Sequence, residues 1–202
     1  MNAPTIVVIT AGLGQPSSTR LLGERLSVAT EQALTEAGGS AEVQIVELRE
    51  YAHDLTNHLL TGFPSARLAE LIEQTIAADA LIAVTPIFSA SYSGLFNTFF
   101  DVLQPESLAG KPVLIAATAG TARHSLALEF AMRPLFSYLR TVVVPTAVFA
   151  ATEDWASPRA LADRIDRAAG ELAALLGPGP TTRHQVDEVV TPFAELLARR
   201  SA

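Results

Sequence analysis

Ala80-Leu81-Ile82-Ala83-Val84-Thr85-Pro86-Ile87-Phe88-Ser89-Ala90-Ser91-Tyr92-Ser93-Gly94-Leu95-Phe96-Asn97 runs from an apolar segment through a proline and a serine-rich turn into a second apolar segment. The first run has no polar alternation, as in a strand covered on both faces. The residue before a proline is pushed toward extended geometry, so the strand is expected to end at Thr85-Pro86. After Gly94, residues Leu95, Phe96, Phe99, Phe100 and Leu103 recur at helical spacing, with Asp101 and Gln104 on the other side. A loop between a buried strand and a helix lies at the strand's carboxyl end, where open α/β sheets bind ligands.

The same alternation extends outward in both directions. Thr5 to Thr10 is a short β-branched run and the expected central strand. Thr19 to Ala37 carries Leu22, Leu26, Ala29 and Ala33 on one stripe and stops at Gly38-Gly39. Val43 to Leu48 alternates like a strand nearer the edge, and the stretch from Tyr51 to Pro64 has no clear period. Leu68, Leu71, Ile72 and Ile76 mark a helix after Ser65 as its cap. Pro112 to Ala119 and Thr141 to Ala150 read as two further strands, separated by a helix around residues 125–139. Ser157-Pro158 suits the start of a last helix ending near Leu176. Five strands with helical crossovers predict a doubly wound five-stranded parallel sheet with helices on both faces. Residues 1–176 form that domain. Gly177-Pro178-Gly179-Pro180 breaks the chain, and residues 177–202 read as a tail with a short helix from Thr191-Pro192.

Composition narrows the functions open to such a domain. With 202 residues, 49% hydrophobic and 17% charged, the chain suits one domain with a full core. Cysteine is absent, which excludes disulfides, thiolate chemistry and cysteine-ligated metal, and fits a reducing, cytoplasmic compartment. No apolar run reaches the ~20 residues of a membrane span. A formal net charge of −7 argues against nucleic-acid binding, which needs a basic face. His53, His58 and His184 lack metal-ligand spacing, and no paired carboxylates mark a catalytic helix, so metal binding is not expected.

Three loops leave the carboxyl ends of the first, third and fourth strands. The first, from Thr10 through Gln15 to Ser17, Ser18, Thr19 and Arg20, places hydroxyls and a cation before a helix. That composition suits a phosphate, although Ser17 to Thr19 are equally the residues of an ordinary helix cap. Gly12-Leu13-Gly14 begins like a dinucleotide fingerprint but has serine at position 17, and a Walker A lysine is missing. The loop from Thr118 through Gly120 and Thr121 to His124 is small enough for a flat ligand to lie against backbone. Together the loops describe a cleft with a phosphate at one end and a planar ring between the other two loops.

These stretches resemble the NAD(P)H-dependent FMN reductases of the flavodoxin-like fold, especially the flavin-supplying components of two-component monooxygenases. The likeness spans residues 5–150 and rests on Ser17 to Leu22, on Thr85 to Gly94 as a T-P-x-[YF]-x-x-S-x-x-G pattern, and on Gly120 to His124. Glycines at positions 12 and 14 depart from the family's more frequent Gly-Ser. The resemblance implies FMN, with NADPH or NADH as hydride donor, and no catalytic side chain. It assigns the FMN phosphate to Ser17, Thr19 and Arg20, with Thr10, Gln15 and Ser18 in the same loop. It assigns the ring and ribityl chain to Pro86, Ile87, Phe88, Ser89, Ser91 and Ser93, and the isoalloxazine to Thr118, Gly120 and Thr121. Backbone donors from Thr118 to Thr121 are expected near flavin N1.

The likeness also implies a homodimer or homotetramer and a flavin-dependent monooxygenase partner. A quinone, azo or chromate reductase with tightly bound FMN, or a flavodoxin-like electron carrier, is the competing expectation. His124, beside a helix start, reads as structural. Phe96, Phe99 and Phe100 read as core or oligomer contacts, and Phe130 and Tyr138 as residues between subunits. Trp155 either covers the site of a neighbouring subunit or caps the last helix.

Overall fold

A computed structural model describes residues 3–156 and 158–177. Strand β1 (Thr5–Thr10) lies between β2 (Glu42–Glu47) and β3 (Ala80–Phe88), and β3 pairs in turn with β5 (Pro112–Ala119), all parallel. The outermost position is filled by two short pieces, β6 (Val142–Val143) and β7 (Val148–Ala151), each parallel to β5. This is the doubly wound order of flavodoxin, with its switch point between β1 and β3.

Two sets of helices cover the sheet because alternate strand residues point to opposite faces. Ile6, Val8, Ile82, Val84, Leu114 and Ala116 meet α1 (Ser18–Glu36) and α6 (Pro158–Leu176) on one face. Val7, Ile9, Leu81, Ala83, Val113 and Ile115 face α2 (Ala52–Thr61), α3 (Ala66–Ala77), α4 (Gly94–Asp101) and α5 (Arg133–Tyr138) on the other. Phe96, Phe99, Phe100 and Phe136 form the aromatic heart of this second layer, with the Phe96–Phe100 centroids 4.8 Å apart and Phe100–Phe136 5.0 Å apart. The three phenylalanines of α4 are therefore core residues rather than oligomer contacts. On the opposite face, a Cβ at Gly23 would lie 2.9 Å from Thr10 Cγ2, so the absence of a side chain lets α1 sit close over β1.

The structure departs from the sequence expectations in four places. Strand β3 continues through Pro86 to Phe88 instead of stopping at Thr85-Pro86. The Ala11 N–H donates to the Val84 carbonyl, so Val84 and Pro86 both turn their backbone toward β1, which has ended by Pro86. A proline costs no ladder hydrogen bond there. Residues Ser91–Tyr92 then fold back as β4, antiparallel to Ile87 and Phe88, through a turn in which Ser89 and Ala90 have φ of 47° and 65°. With β4 and the divided outer strand, seven strands rather than five are present among the described residues.

The expected strand at 141–150 is interrupted at Pro145, and its backbone groups are met by side chains. Thr146 donates its N–H and its hydroxyl to Glu171, both at 2.7 Å. Arg133 donates to the Val144 and Pro145 carbonyls at 3.2 and 3.1 Å. The helix expected around 125–139 is also divided, into a turn at Ala122–His124, a wide π turn at Leu128–Met132 and α5. Pro134 has no N–H to return to the preceding turn, which accounts for the change of winding there. The aperiodic stretch after Tyr51 is helix α2, which buries only Leu55 and so shows no stripe. The expected Ser157 cap and the tail helix from Thr191 lie outside the described residues. No described helix is long and apolar enough to cross a membrane.

Arg133 also holds Glu129 through bonds of 2.6 and 3.0 Å. The hydrogen bond from Arg133, and then its charge, hold the Glu129 carboxyl below its ordinary value against the opposing effect of partial burial. Arg133→Met should lower unfolding free energy by about 1–3 kcal/mol, measured by urea denaturation, because it strips acceptors from a strand break. A depressed carboxyl stabilises the fold above its ordinary value of ~4.3 and loses that contribution as pH falls through the folded value. The melting-temperature gap between wild type and Glu129→Gln should accordingly be present at neutral pH and close in acid.

Candidate functional site: a cleft at the carboxyl edge of the sheet

Ser18, Pro86, Ile87, Phe88, Thr118, Ala119, Gly120, Thr152 and Trp155 line a cleft of about 360 Å³. They come from the carboxyl ends of β1, β3, β5 and β7, and the cleft falls within the ~300–1,000 Å³ of small-molecule sites. A second cavity of about 330 Å³ lies between α1 and α6, away from these loops, with Val28, Ala29 and Ile165 among its walls. Residues Pro86 to Phe88 and Trp155 supply apolar wall, and Ser18 brings the first turn of α1, where helix geometry leaves backbone N–H groups without intrahelical acceptors, to the cleft. Space is open above Gly120, where a Cβ would meet nothing within 4 Å. An apolar slot with a helix N-terminus at one end fits a planar ring joined to an anion, and so fits FMN.

The loop from β1 to α1 is held tightly. Ser17 caps α1 by accepting the Arg20 N–H at 3.1 Å. A Cβ on Gly12 would lie 2.1 Å from Ser17 Oγ and 3.0 Å from Thr19 Cβ, so the glycine is what lets the loop close on its own cap. The Thr19 and Thr118 hydroxyls are 2.9 Å apart and buried, which ties the first turn of α1 to the end of β5. Arg20 donates to Glu24 at 2.8 Å and to Glu47. Its hydrogen bonds to Glu24 and then Glu47 raise its already high pKa. Arg49 Nε lies 3.2 Å from Glu47 Oε2, so two guanidinium groups share one carboxylate beside the loop. With its amide turned, the Gln15 oxygen accepts from Arg49.

Of the residues singled out in the sequence, Ser18, Pro86, Ile87, Phe88, Thr118 and Gly120 meet at this cleft. Ser17, Thr19 and Arg20 stand behind it in the α1 turn. Thr10 is buried, with its hydroxyl on the Val46 carbonyl at 2.9 Å. Ser93 is also buried; it caps α4 through the Phe96 N–H at 3.2 Å, and its own N–H donates to Thr85 Oγ1 at 3.1 Å. Ser89 and Ser91 belong to the β3–β4 hairpin, and Thr121 accepts the Arg123 N–H at 3.3 Å as a turn cap. Sequence reasoning missed Thr152 and Arg49. Both follow carboxyl ends of strands, β7 and β2, so the rule that found the other loops would have found them too. Trp155 lines the cleft of its own chain.

Fold and cleft together define a flavodoxin-like α/β protein with a cleft at the topological switch point. A family model described as NADPH-dependent FMN reductase matches residues 4–156. FMN reductase (NADPH) of Pseudomonas aeruginosa is 32% identical over 178 residues, covering 85% of this chain and 92% of that protein. NADH-dependent FMN reductase SfnE of Pseudomonas putida is 35% identical over 188 residues, covering 88% of this chain and 95% of that protein. A crystal structure of an oxidoreductase from Corynebacterium diphtheriae has 48% identity and a TM-score of 0.85, covering 87% of this chain and 98% of that one. The chain belongs to the NADPH-dependent FMN reductase family and is an oxidoreductase acting between NAD(P)H and FMN.

The buried hydroxyl pair gives a test of how the site is held. Thr19→Val or Thr118→Val alone should cost about 1–3 kcal/mol in chemical denaturation, since each leaves a buried hydroxyl without its partner. The double variant should cost clearly less than the sum of the two.

Proposed function

We propose that the cleft binds FMN with its phosphate at the first turn of α1 and its ring along Pro86 to Phe88. The observation that carries this reading is the convergence of a helix N-terminus and an apolar slot at one switch point, within a chain of this family. When bound at Ser18, Thr19 and Pro86 to Phe88, FMN would supply the hydride-accepting chemistry. The protein's contribution is placement. The N–H groups of Ser18 and Thr19 meet the phosphate, and the helix dipole adds about 0.3–1 kcal/mol there. Arg20 and Arg49 supply positive charge behind the loop, tempered by Glu24 and Glu47. The apolar wall and the small residues Ala119 and Gly120 let two flat rings approach without an intervening side chain, which is how orientation contributes to hydride transfer.

FMN is proposed here as an exchangeable substrate, reduced and then passed to a flavin-dependent monooxygenase. That part rests on the likeness of the loops to flavin-supplying reductases. Coenzyme choice is left open by the family, since one relative is named for NADPH and another for NADH. Homo-oligomeric assembly belongs to the same proposal and is supported by Phe130 and Tyr138, 77% and 84% exposed on the segment after β5. Cytoplasmic placement is supported by the cysteine-free composition.

Flavin-stripped protein should oxidise NADPH or NADH at a rate that saturates with added FMN, followed by the loss of reduced-nicotinamide absorbance. FMN should leave the protein on gel filtration; retention would favour a tightly bound prosthetic group and a quinone-type acceptor. FMN binding without nicotinamide oxidation would make the protein an electron carrier. Ser18→Glu tests the phosphate end. An acidic residue is favourable in a first helical turn, so the fold should persist. FMN affinity should fall at least about tenfold while riboflavin affinity stays nearly unchanged, because only FMN carries the repelled charge. Equal losses would remove the phosphate from α1.

A further inference from the structure

We propose that Trp155 is a ring-contact residue for a flavin bound in this cleft, and that Arg25 is the positioning residue that holds it there. The inference rests on the FMN reading above and goes beyond it, because none of the motifs that carry that reading includes either residue.

Trp155 reaches the cleft from the turn Thr152–Trp155 after β7. That turn is anchored independently of any ligand. Asp154 accepts the Ala151 N–H at 2.8 Å and an Arg164 N–H at 2.9 Å, and Arg164 also donates to the Phe149 carbonyl at 3.2 Å. The indole itself is only half-buried, against the α1–α6 face of the core. Its ring is covered by the Arg25 guanidinium, whose carbon lies 4.9 Å from the ring centroid. Such a contact fixes an aromatic plane without sealing it in apolar packing.

Arg25 stands seven residues after Ser18 on α1, two helical turns along the same side. One helix therefore offers its N-terminus to the anionic end of a ligand and supports, two turns later, an aromatic wall for the ring end. Those two fixed points on one rigid element set the distance between a bound phosphate and a bound ring. A tryptophan used only to close the α1–α6 seam would be expected to be buried there, with no atoms in the cleft. Trp155 instead shares a wall with Pro86, Phe88 and Gly120.

The chain has a single tryptophan, so its emission reports this residue alone. The experiment is calorimetric titration of FMN and riboflavin into wild type, Trp155→Ala, Trp155→Phe, Arg25→Gln and Arg25→Lys, with the emission of the unliganded Arg25 variants recorded beside it. Trp155→Ala should weaken FMN and riboflavin by a common factor of about tenfold, as for loss of a stacked aromatic. Trp155→Phe should recover most of it. Arg25→Gln should weaken both flavins by a smaller common factor and shift the Trp155 emission maximum, and Arg25→Lys should restore both readouts. Flavin should also quench the wild-type emission, a readout that needs no variant to fold. Unchanged flavin affinity in Trp155→Ala, a loss confined to FMN, or absence of quenching on flavin binding would overturn the assignment while leaving the reductase reading intact. Failure of wild type to bind any flavin would overturn that reading and this inference together.

Discussion

Strands β3 and β5 pair from Leu81 against Val113 to Pro86 against Thr118, and the last part of that ladder runs beyond the end of β1. The extension depends on Pro86 standing where no neighbour asks for its N–H. It carries Ile87 and Phe88 out past the sheet edge and sets Thr118 to Gly120 beside them. Thr118 then reaches Thr19, which draws the first turn of α1 onto the same place. Most of the cleft follows from this overhang: shorten β3 by the residues after Thr85 and the apolar wall is lost.

The hydroxyl-rich character of the site has two separate origins. Ser17, Ser93 and Thr121 cap helices or turns, Thr10 fastens β1 to β2, and Thr19 and Thr118 bind one another. These groups are consumed in holding loops still. In the proposed FMN site, anion recognition would fall to backbone N–H groups that the caps have oriented. A rigid loop presenting main-chain donors loses little freedom when a ligand binds. The arginines follow a similar logic. Arg20, Arg25, Arg133 and Arg164 each hold something in place, and none is aimed into the cleft as a bare cation.

Much of the fold was legible along the chain because a doubly wound sheet writes itself as alternating apolar runs. Buried parallel strands such as Thr5–Thr10 and Pro112–Ala119 need apolar residues throughout, and α1 and α6 need one apolar stripe. The misread elements are those whose local signal competes with tertiary context. Pro86 reads as a strand end and Pro145 does not, yet the structure tolerates the first and breaks at the second. The difference is whether a neighbouring strand and compensating side chains are present, which only packing determines. Helix α2 escaped notice because it buries a single leucine.

What the sequence by itself determined is the order of strands and helices and the chemistry of the three small-residue loops, since burial period, proline, glycine and capping hydroxyls act over a few neighbouring residues. Only the tertiary structure decided which side chains share the cleft. Thr152 and Trp155 come from a turn more than a hundred residues beyond Ser18, and they meet it because β1 and β7 run parallel in one sheet and end on its same carboxyl side. It also turned Ser93 and Thr10, plausible ligand groups in the sequence, inward to satisfy backbone. A hydroxyl's role depends on the nearest unsatisfied partner in space, and distance in space is the quantity that a linear sequence does not carry.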